Sequence, residues 1–312
     1  MAFEVTKTRT TFPILASRVH GLPLCYLDNA ATSQTPNLVL EAMARHERTS
    51  RANIHRGNHW LADAATDGFD RARAAVARYI NAASPDEVVF TYGATSALNL
   101  VAFAFGETLI TGDEVVISEL EHHSNFVPWQ MLRDRHGITL KAIATTPEGR
   151  LDLAQLERLV TPRCRLIAVT HCSNVTGAVT DVERIVAVAR TVGARILLDG
   201  AQRVPHGPID VQSLGADLYV LSGHKMYGPN ASGALWGRGE LLDAMPPFMT
   251  GGHMIDRVSL AKSTFARPPQ RFEAGTPMIA QAVGLGAAVD WLMKLDWRSV
   301  HAHTRGLATR LL

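Results

Sequence analysis

Short apolar, β-branched runs alternate with longer stretches of helical periodicity along most of the chain, and this alternation constrains the fold more than any other feature. Each run has the length of one strand and is apolar throughout rather than at every second position. Such strands, separated by helices, are typical of a mostly parallel sheet buried on both faces. We predict seven strands, at 87–91, 114–118, 138–144, 165–171, 195–199, 218–222 and 233–236.

The same periodicity predicts helices between and after these strands, at 95–105, 127–135, 153–160, 182–192 and 278–295. A last helix begins at Trp297 and continues to Leu312 without a cap or a glycine stop signal at its end, as in a chain cut from a longer one. We expect an α/β fold with helices on both faces of a seven-stranded sheet. We assign 23–293 to a large domain, and 1–22 and 294–312 to an incomplete, largely missing small domain.

Composition excludes several classes of partner. The 312 residues hold 31 Lys and Arg against 29 Asp and Glu, with no basic stripe, so we predict no nucleic-acid partner. No apolar run has the length of a signal peptide core or a membrane span, which predicts a cytoplasmic protein without a membrane partner. Three cysteines in so long a chain make no disulfide framework, and no pair has metal-ligand spacing, so we predict no metal site.

A lysine between glycines follows one of the predicted strands. The segment 221–229 reads LSGHKMYGP and places Lys225 at the carboxyl end of that strand, where α/β sheets present reactive groups. A desolvated lysine has a lowered pKa and can form an imine with a carbonyl compound. A loop lysine at a turn has the same sequence signature, so this segment alone leaves both interpretations open.

Two further strand ends suit a charged aromatic cofactor. Asp199 ends a strand before a tight turn, and its carboxylate can hold a protonated pyridine nitrogen. The segment 92–96 joins a strand to a helix start, where small residues, free N–H groups and the Thr95 hydroxyl suit an anion. Ordinary helix caps at Asp199 and Thr95 are the alternative interpretation.

Polar side chains also follow two more strands. His122 and His123 lie in EHHSN, where an imidazole can stack on a ring or move a proton; a surface histidine is the alternative. Asn174 follows the strand at 165–171, where its amide can bond a cofactor or form a turn. An anion cup, histidine, asparagine, aspartate and lysine thus stand at successive strand ends, and we expect them to meet at one sheet edge.

The chain resembles the class V, fold-type I enzymes that depend on pyridoxal 5'-phosphate (PLP), and within them the SufS/CsdA-like cysteine desulfurases. The resemblance covers nearly the whole chain through an ordered set of motifs: YLDNAAT (26–32), HRGNH (55–59), EHHSNFVPWQ (121–130), HCSNVTG (171–177), LDGAQ (198–202), SGHKMYGP (222–229), GGHMI (251–255) and RFEAGTP (271–277). It implies a PLP-dependent enzyme.

The resemblance implies roles for five residues around the PLP ring. Lys225 would carry the cofactor as an imine, and Asp199 would pair with the pyridinium nitrogen. His122 would stack on the ring and, with Lys225, act in catalysis. Gln202 would bond the phenolic oxygen, and Asn174 would contact cofactor and substrate.

It also implies a phosphate site. Thr95, Ser222 and His224, with the backbone around Ala94, would hold the phosphate. Thr276 would reach the phosphate of a neighbouring subunit, which implies a homodimer with shared active sites.

The implied reaction converts L-cysteine to L-alanine and passes the sulfur to an acceptor protein for iron–sulfur cluster assembly or related sulfur metabolism. L-Selenocysteine is a second implied substrate. The family uses a cysteine thiolate on a later loop as the sulfur nucleophile, and an arginine from the same region to hold the substrate. None of Cys25, Cys164 and Cys172 matches that place, so we expect this chain to bind PLP but to desulfurate L-cysteine poorly.

Two alternatives remain open at this point. Another PLP reaction on the same scaffold, such as transamination or epimerisation, needs the Lys225 imine without a sulfur nucleophile. A catalytically silent, truncated partner or scaffold would keep the dimer surface alone. The EHHSN and RFEAGTP segments favour a desulfurase over a transaminase.

Overall fold

The computed structural model describes residues 3–311, and the alternation of strands and helices predicted above is present in them. The helices are α1 (Val5–Thr10), α2 (Asn37–Thr49), α3 (Trp60–Tyr79), α4 (Ala94–Ala104), α5 (Val127–His136), α6 (Leu156–Leu159), α7 (Val182–Val192), α8 (Val211–Leu214), α9 (Gly239–Ala244), α10 (Ile279–Leu292) and α11 (Trp297–Leu311). The strands are β1 (Arg18–Val19), β2 (Leu22–Pro23), β3 (Val88–Thr91), β4 (Glu114–Ser118), β5 (Thr139–Ile143), β6 (Cys164–Thr170), β7 (Arg195–Asp199), β8 (Leu218–Ser222), β9 (Gly233–Gly237), β10 (Ile255–Val258) and β11 (Ser263–Phe265).

Seven strands form the central sheet in the order β3-β9-β8-β7-β6-β4-β5, and all seven were predicted. The pairs from β8 through β5 are parallel, whereas β9 runs antiparallel to both β8 and β3. Only a short segment joins Ser222 to Gly233, and a parallel crossover needs a dozen or more residues, so β9 must reverse direction. The mostly parallel sheet of the predicted fold class is confirmed.

Apolar clusters cover both faces of this sheet, because side chains alternate along each buried strand. In β6, Leu166 and Ala168 belong to the cluster that includes α4 and α5, while Ile167 and Val169 belong to the cluster that includes α3, α7 and α10. The helices therefore lie on both sides of the sheet, as predicted. This packing leaves the carboxyl ends of the parallel strands as the edge where polar groups can gather.

One predicted helix is shorter than expected. The segment predicted as helical at 153–160 contains a 3-10 turn, Leu153–Gln155, followed by the single α-helical turn of α6. Gln155, between the 3-10 turn and α6, has φ of −104° and ψ of 5°. These angles are not α-helical, so the two segments do not form one continuous helix. The Asp152 side chain accepts a hydrogen bond from the Ala154 N–H and so favours the local turn.

The two ends of the described chain lie near each other. The rings of Phe3 and His303 are 5.5 Å apart. Nε2 of His301 lies 2.7 Å from the His206 carbonyl oxygen, a contact between α11 and the segment after β7. The division into a domain at 23–293 and small-domain parts at 1–22 and 294–312 stays a prediction; residues 1, 2 and 312 lie outside the described part. Among the described helices, none is both long and apolar enough to cross a membrane.

Candidate active site

A cavity of about 760 Å³ opens at the carboxyl edge of the sheet, a size that suits a cofactor with a small substrate. It is lined by residues that follow β3, β4, β6, β7 and β8, together with a segment from the N-terminal part of the chain. Nine of the ten residues predicted for the cofactor site line it: Ala94, Thr95, His122, Asn174, Asp199, Gln202, Ser222, His224 and Lys225.

Lys225 ends a 3-10 turn, Gly223–Lys225, that follows β8 directly. Burial lowers the pKa of Lys225, and the charge of Asp199 partly opposes this by favouring the ammonium form. Two non-glycine residues in the following loop, Tyr227 and Ala231, have positive φ of 65° and 54°. Such conformations cost free energy and cluster at functional sites. The loop therefore holds the partly buried Lys225 amine at the cavity wall. Its lowered pKa increases the fraction in the neutral, nucleophilic form.

Asp199 is the last residue of β7 and is buried. One carboxylate oxygen, Oδ1, accepts a hydrogen bond of 3.0 Å from the Ala201 N–H. Burial raises the pKa of Asp199, whereas the positive charges of Lys225 and His122 act in the opposite direction. A cationic ring nitrogen in the cavity would give this carboxylate the partner that a buried charge requires.

His122 follows β4, and its backbone precedes a 3-10 turn, His123–Asn125. Its Nδ1 accepts from the Ser124 N–H at 3.2 Å, so the neutral ring carries its proton on Nε2. The Ser124 hydroxyl lies 2.8 Å from the same Nδ1 and 2.7 Å from the Thr95 hydroxyl. Burial and the charge of Lys225 lower the pKa of His122, whereas Asp199 raises it. The imidazole is thus oriented by the start of α4 and favoured in its neutral form.

The anion cup predicted at 92–96 is the N-terminus of α4. Gly93 precedes the helix with φ of 92°, and no side chain caps it. A Cβ added at Gly233 would lie 2.7 Å from the Gly93 Cα. The backbone of β9 can therefore approach this turn so closely only because residue 233 is glycine. The uncapped N–H groups of an 11-residue helix, beside the Thr95 hydroxyl and Ser222, suit a phosphate group.

Gln202 and Asn174 face the cavity from the turns after β7 and β6. The Gln202 Nε2 donates to the Ala30 carbonyl oxygen at 2.8 Å, a contact that the sequence did not predict. Its second N–H remains for a cofactor oxygen. Asn174 lies in a turn in which the Ser173 hydroxyl accepts the N–H groups of the two residues after Asn174.

Thr276 is the predicted residue that the structure does not bring to this cavity. It is exposed, on the turn after a 3-10 segment, Gln270–Phe272, and that turn is tied to a neighbouring loop by a 2.9 Å bond from the Gly275 N–H to the Gly252 carbonyl. A role toward a neighbouring subunit stays a prediction.

Sequence reasoning missed the N-terminal wall of the cavity, to which Asp28, Ala30 and Ala31 contribute. Ser33 fixes this segment on the lysine loop: its N–H and its hydroxyl both donate to the His224 carbonyl, and its hydroxyl accepts from the Tyr227 N–H. The YLDNAAT motif could have indicated this wall. Its sequence has no helix or strand periodicity, however, so its position relative to the sheet could not be predicted.

The three cysteines differ in their surroundings. Cys172 lines the cavity, and burial raises the pKa of its thiol; Cys164 lies in the core, where burial raises the pKa to about 11. Cys25 is exposed. Both buried groups therefore stay protonated thiols at neutral pH. Between residues 3 and 311, no group of three or more His, Cys, Asp or Glu side chains could hold a metal ion.

The chain is similar to known proteins along nearly its whole length. Residues 25–312 match the family model of aminotransferase class-V. The chain is 47% identical over 310 residues to a cysteine desulfurase of Dickeya dadantii (strain 3937), which covers 99% of this chain and 75% of the relative. It is 48% identical over 305 residues to a probable cysteine desulfurase of Streptomyces coelicolor, covering 96% of this chain and 73% of the relative.

Solved structures agree with this relationship. The cysteine desulfurase CsdA from Escherichia coli superposes with a TM-score of 0.90 at 38% identity, over 99% of this chain and 76% of that one. A further neighbour, at 26% identity and a TM-score of 0.79 over 92% of this chain and 74% of that one, holds glycine covalently linked to its PLP cofactor. Family and neighbours are PLP-dependent, and the donor set of the cavity fits that cofactor. The chain belongs to the class-V aminotransferase family and, within it, to the cysteine desulfurases.

Proposed function

We propose that this chain is a PLP-dependent cysteine desulfurase that converts L-cysteine to L-alanine and passes the sulfur to an acceptor. One observation carries the proposal: an amine, a carboxylate and an imidazole, on Lys225, Asp199 and His122, line one cavity and are close enough for their charges to shift one another's pKa. These residues come from three separate strand ends. If Lys225 had only a structural role, the cavity would need neither the uncapped start of α4 nor the His122 imidazole.

The cavity offers a partner for each polar group of PLP. Lys225 would hold the aldehyde carbon, Asp199 the pyridine nitrogen, and Gln202 and Asn174 the phenolic oxygen and the substrate side. The phosphate would lie at the start of α4, between Thr95, Ser222 and His224 and the backbone at Ala94. Once bound, PLP supplies an electron sink for the bonds at the substrate Cα.

The chain's own groups then perform the proton chemistry. Lys225 Nζ, held partly buried, accepts the proton that leaves the L-cysteine Cα, since desolvation favours its neutral form. Asp199 keeps the ring nitrogen protonated because the buried carboxylate needs a cation beside it. His122, with its proton on Nε2, would stack on one face of the ring and exclude water there.

Sulfur removal requires a thiolate, and the two buried cysteines are held as thiols. We therefore expect these 312 residues to convert L-cysteine to L-alanine slowly, and L-selenocysteine likewise, with the removed atom appearing as sulfide or selenide only when a thiol reductant is added. A homodimer in which Thr276 reaches the neighbouring phosphate, a sulfur-acceptor protein for iron–sulfur cluster assembly and a cytoplasmic location complete the proposal. The exposed position of Thr276 outside its own cavity supports the dimer.

A PLP titration of the purified chain, followed by visible absorbance, tests cofactor binding. We expect a band that saturates at one cofactor per chain and is lost in Lys225→Ala. Lys262→Ala removes an exposed lysine and is the matched control that keeps the band. Equal bands in both variants would overturn the assignment of Lys225.

Product analysis after adding L-cysteine tests the reaction class. Alanine supports a desulfurase, even at a slow rate, when the sulfur is recovered on an acceptor thiol or, with an added thiol reductant, as sulfide. A keto acid or a D-amino acid from the same sample would replace the proposal with transamination or epimerisation.

A further inference from the structure

Glu121 stands directly before His122, is buried, and does not line the cavity. Its Oε1 accepts from the Thr170 N–H at 2.8 Å and from the Ser118 hydroxyl. Its Oε2 accepts from the Asn125 Nδ2 at 2.6 Å. One carboxyl group therefore gathers donors from β4, from β6 and from the turn that His122 begins.

These bonds connect the imidazole to the strand beside Asp199. Ser118 and Thr170 are the last residues of β4 and β6, and Thr170 is paired with Asp199 in the register of β6 and β7. Asn125 ends the turn that follows His122. Glu121 is thus the link that sets where the His122 turn lies relative to the end of β7.

Each side-chain oxygen of Glu121 faces one donor that cannot become an acceptor, so each oxygen must accept at least one hydrogen bond. The Trp129 Nε1–H donates to the Asn125 Oδ1 at 3.0 Å, which fixes the amide so that its NH₂ group faces Glu121. The Thr170 N–H is a donor in every state. A glutamine at 121 would place its own NH₂ against one of these donors and leave buried groups unsatisfied.

We propose that Glu121 is a positioning residue whose hydrogen bonds hold the His122 ring in place over the PLP ring. The inference rests on the proposed function, since it requires PLP in this cavity. Burial, with a contribution from Asp199, raises the pKa of Glu121 to about 8, against the effect of its three donors. A proton on Oε1 can be donated to the Ser118 hydroxyl while the other two donors stay bound, so the geometry, rather than the charge, does the positioning.

An isosteric exchange separates the hydrogen-bond pattern from the charge. Glu121→Gln alone sets two NH₂ groups against each other. Adding Asn125→Asp gives the new amide at position 121 an acceptor, and the new carboxylate at position 125 still accepts from Trp129. The total charge and volume equal those of the wild type. Glu119→Gln removes a neighbouring exposed carboxylate whose amide replacement can still accept from the Thr145 N–H, and is the matched control.

PLP affinity and the visible circular dichroism of the bound cofactor are measured for the full chain. We expect Glu121→Gln to weaken PLP binding about tenfold, the effect of losing one ring-stacking contact when His122 is displaced, and to shrink the dichroic band. The double variant should return both readouts to near the wild-type values, and Glu119→Gln should leave them unchanged.

Two results would overturn the inference: a single variant with wild-type affinity and band, or a double variant that stays as impaired as the single one. If Glu121→Gln is insoluble, the double variant decides alone, since a soluble protein with a normal band supports the inference and an insoluble or bandless one contradicts it. A wild-type chain that binds no PLP refutes the proposed function instead.

Discussion

Single residues in this cavity acquire their chemistry from the environment in which the strand ends place them. Lys225 gains a larger neutral fraction because burial lowers its pKa, and Asp199 beside it limits that shift. The His122 tautomer follows from one backbone N–H, that of Ser124, which donates to Nδ1. The side chains that a bound PLP would meet are therefore oriented before the cofactor enters, which lowers the cost of binding it.

His171 provides a pH-dependent stability that belongs to one residue. Burial, with the charge of Arg203, lowers its pKa to about 4 from 6.5, and its Nδ1 lies 3.0 Å from the buried Tyr219 hydroxyl. Between pH 6.5 and 4, His171 binds a proton in the unfolded chain but stays neutral in the folded chain. The free energy of unfolding should therefore fall between pH 6.5 and 4, by about 1.4 kcal/mol per pH unit.

Urea unfolding at about pH 7 and about pH 5 measures this effect. His171→Gln, which keeps a hydrogen-bonding group near Tyr219, should lose about 2 kcal/mol less than the wild type over that interval. His20→Asn removes an exposed histidine at a positive φ that Asn tolerates, and serves as the control. Parallel losses in the wild type and His171→Gln would contradict the assignment.

Secondary-structure elements are tied together near the site by one buried ion pair. Arg73 on α3 meets Glu273 with two bonds of 2.6 and 2.9 Å, and both side chains are almost completely buried. Arg73 also donates to the Val88 carbonyl, and Glu273 accepts from the Phe90 N–H, both on β3. The pair thus connects a helix, an edge strand and the turn that continues to Thr276.

Breaking this pair should destabilise the fold strongly, since a buried guanidinium would lose its anionic partner. We expect Glu273→Gln to lower the free energy of unfolding by about 3 kcal/mol in urea denaturation. Asp290→Asn breaks the exposed pair between Arg78 and Asp290 and should cost less than about 1 kcal/mol. Losses of similar size in the two variants would show that the buried pair contributes no more than the exposed one.

The elements themselves were largely predictable from the sequence, because burial and periodicity are local signals. The bounds of β4, β7, β8 and α7 agree with the prediction, and those of the other sheet strands differ by one or two residues at most. The direction of β9 was not predicted, although the short connection from β8 requires it. The break at Gln155 was missed because it depends on a local turn rather than on apolar spacing.

At the scale of the whole molecule, the site forms because one sheet edge collects residues separated by more than a hundred positions. Strand order predicts that Thr95, His122, Asn174, Asp199 and Lys225 meet, and they line one cavity. Contacts that depend on long-range hydrogen bonds could not be predicted in this way. The N-terminal wall at Ala30 and the buried acceptor Glu121 are both held by partners far along the chain or on other strands.

A covalent bond between PLP and one of the five lysines of the chain is the central feature of the proposed enzyme. Reduction of the PLP-loaded protein with borohydride makes that bond permanent, and peptide mass mapping then locates the added mass. We predict the label on Lys225 alone. Label spread over Lys141, Lys262 or the other lysines, with Lys225 unmodified, would contradict the account.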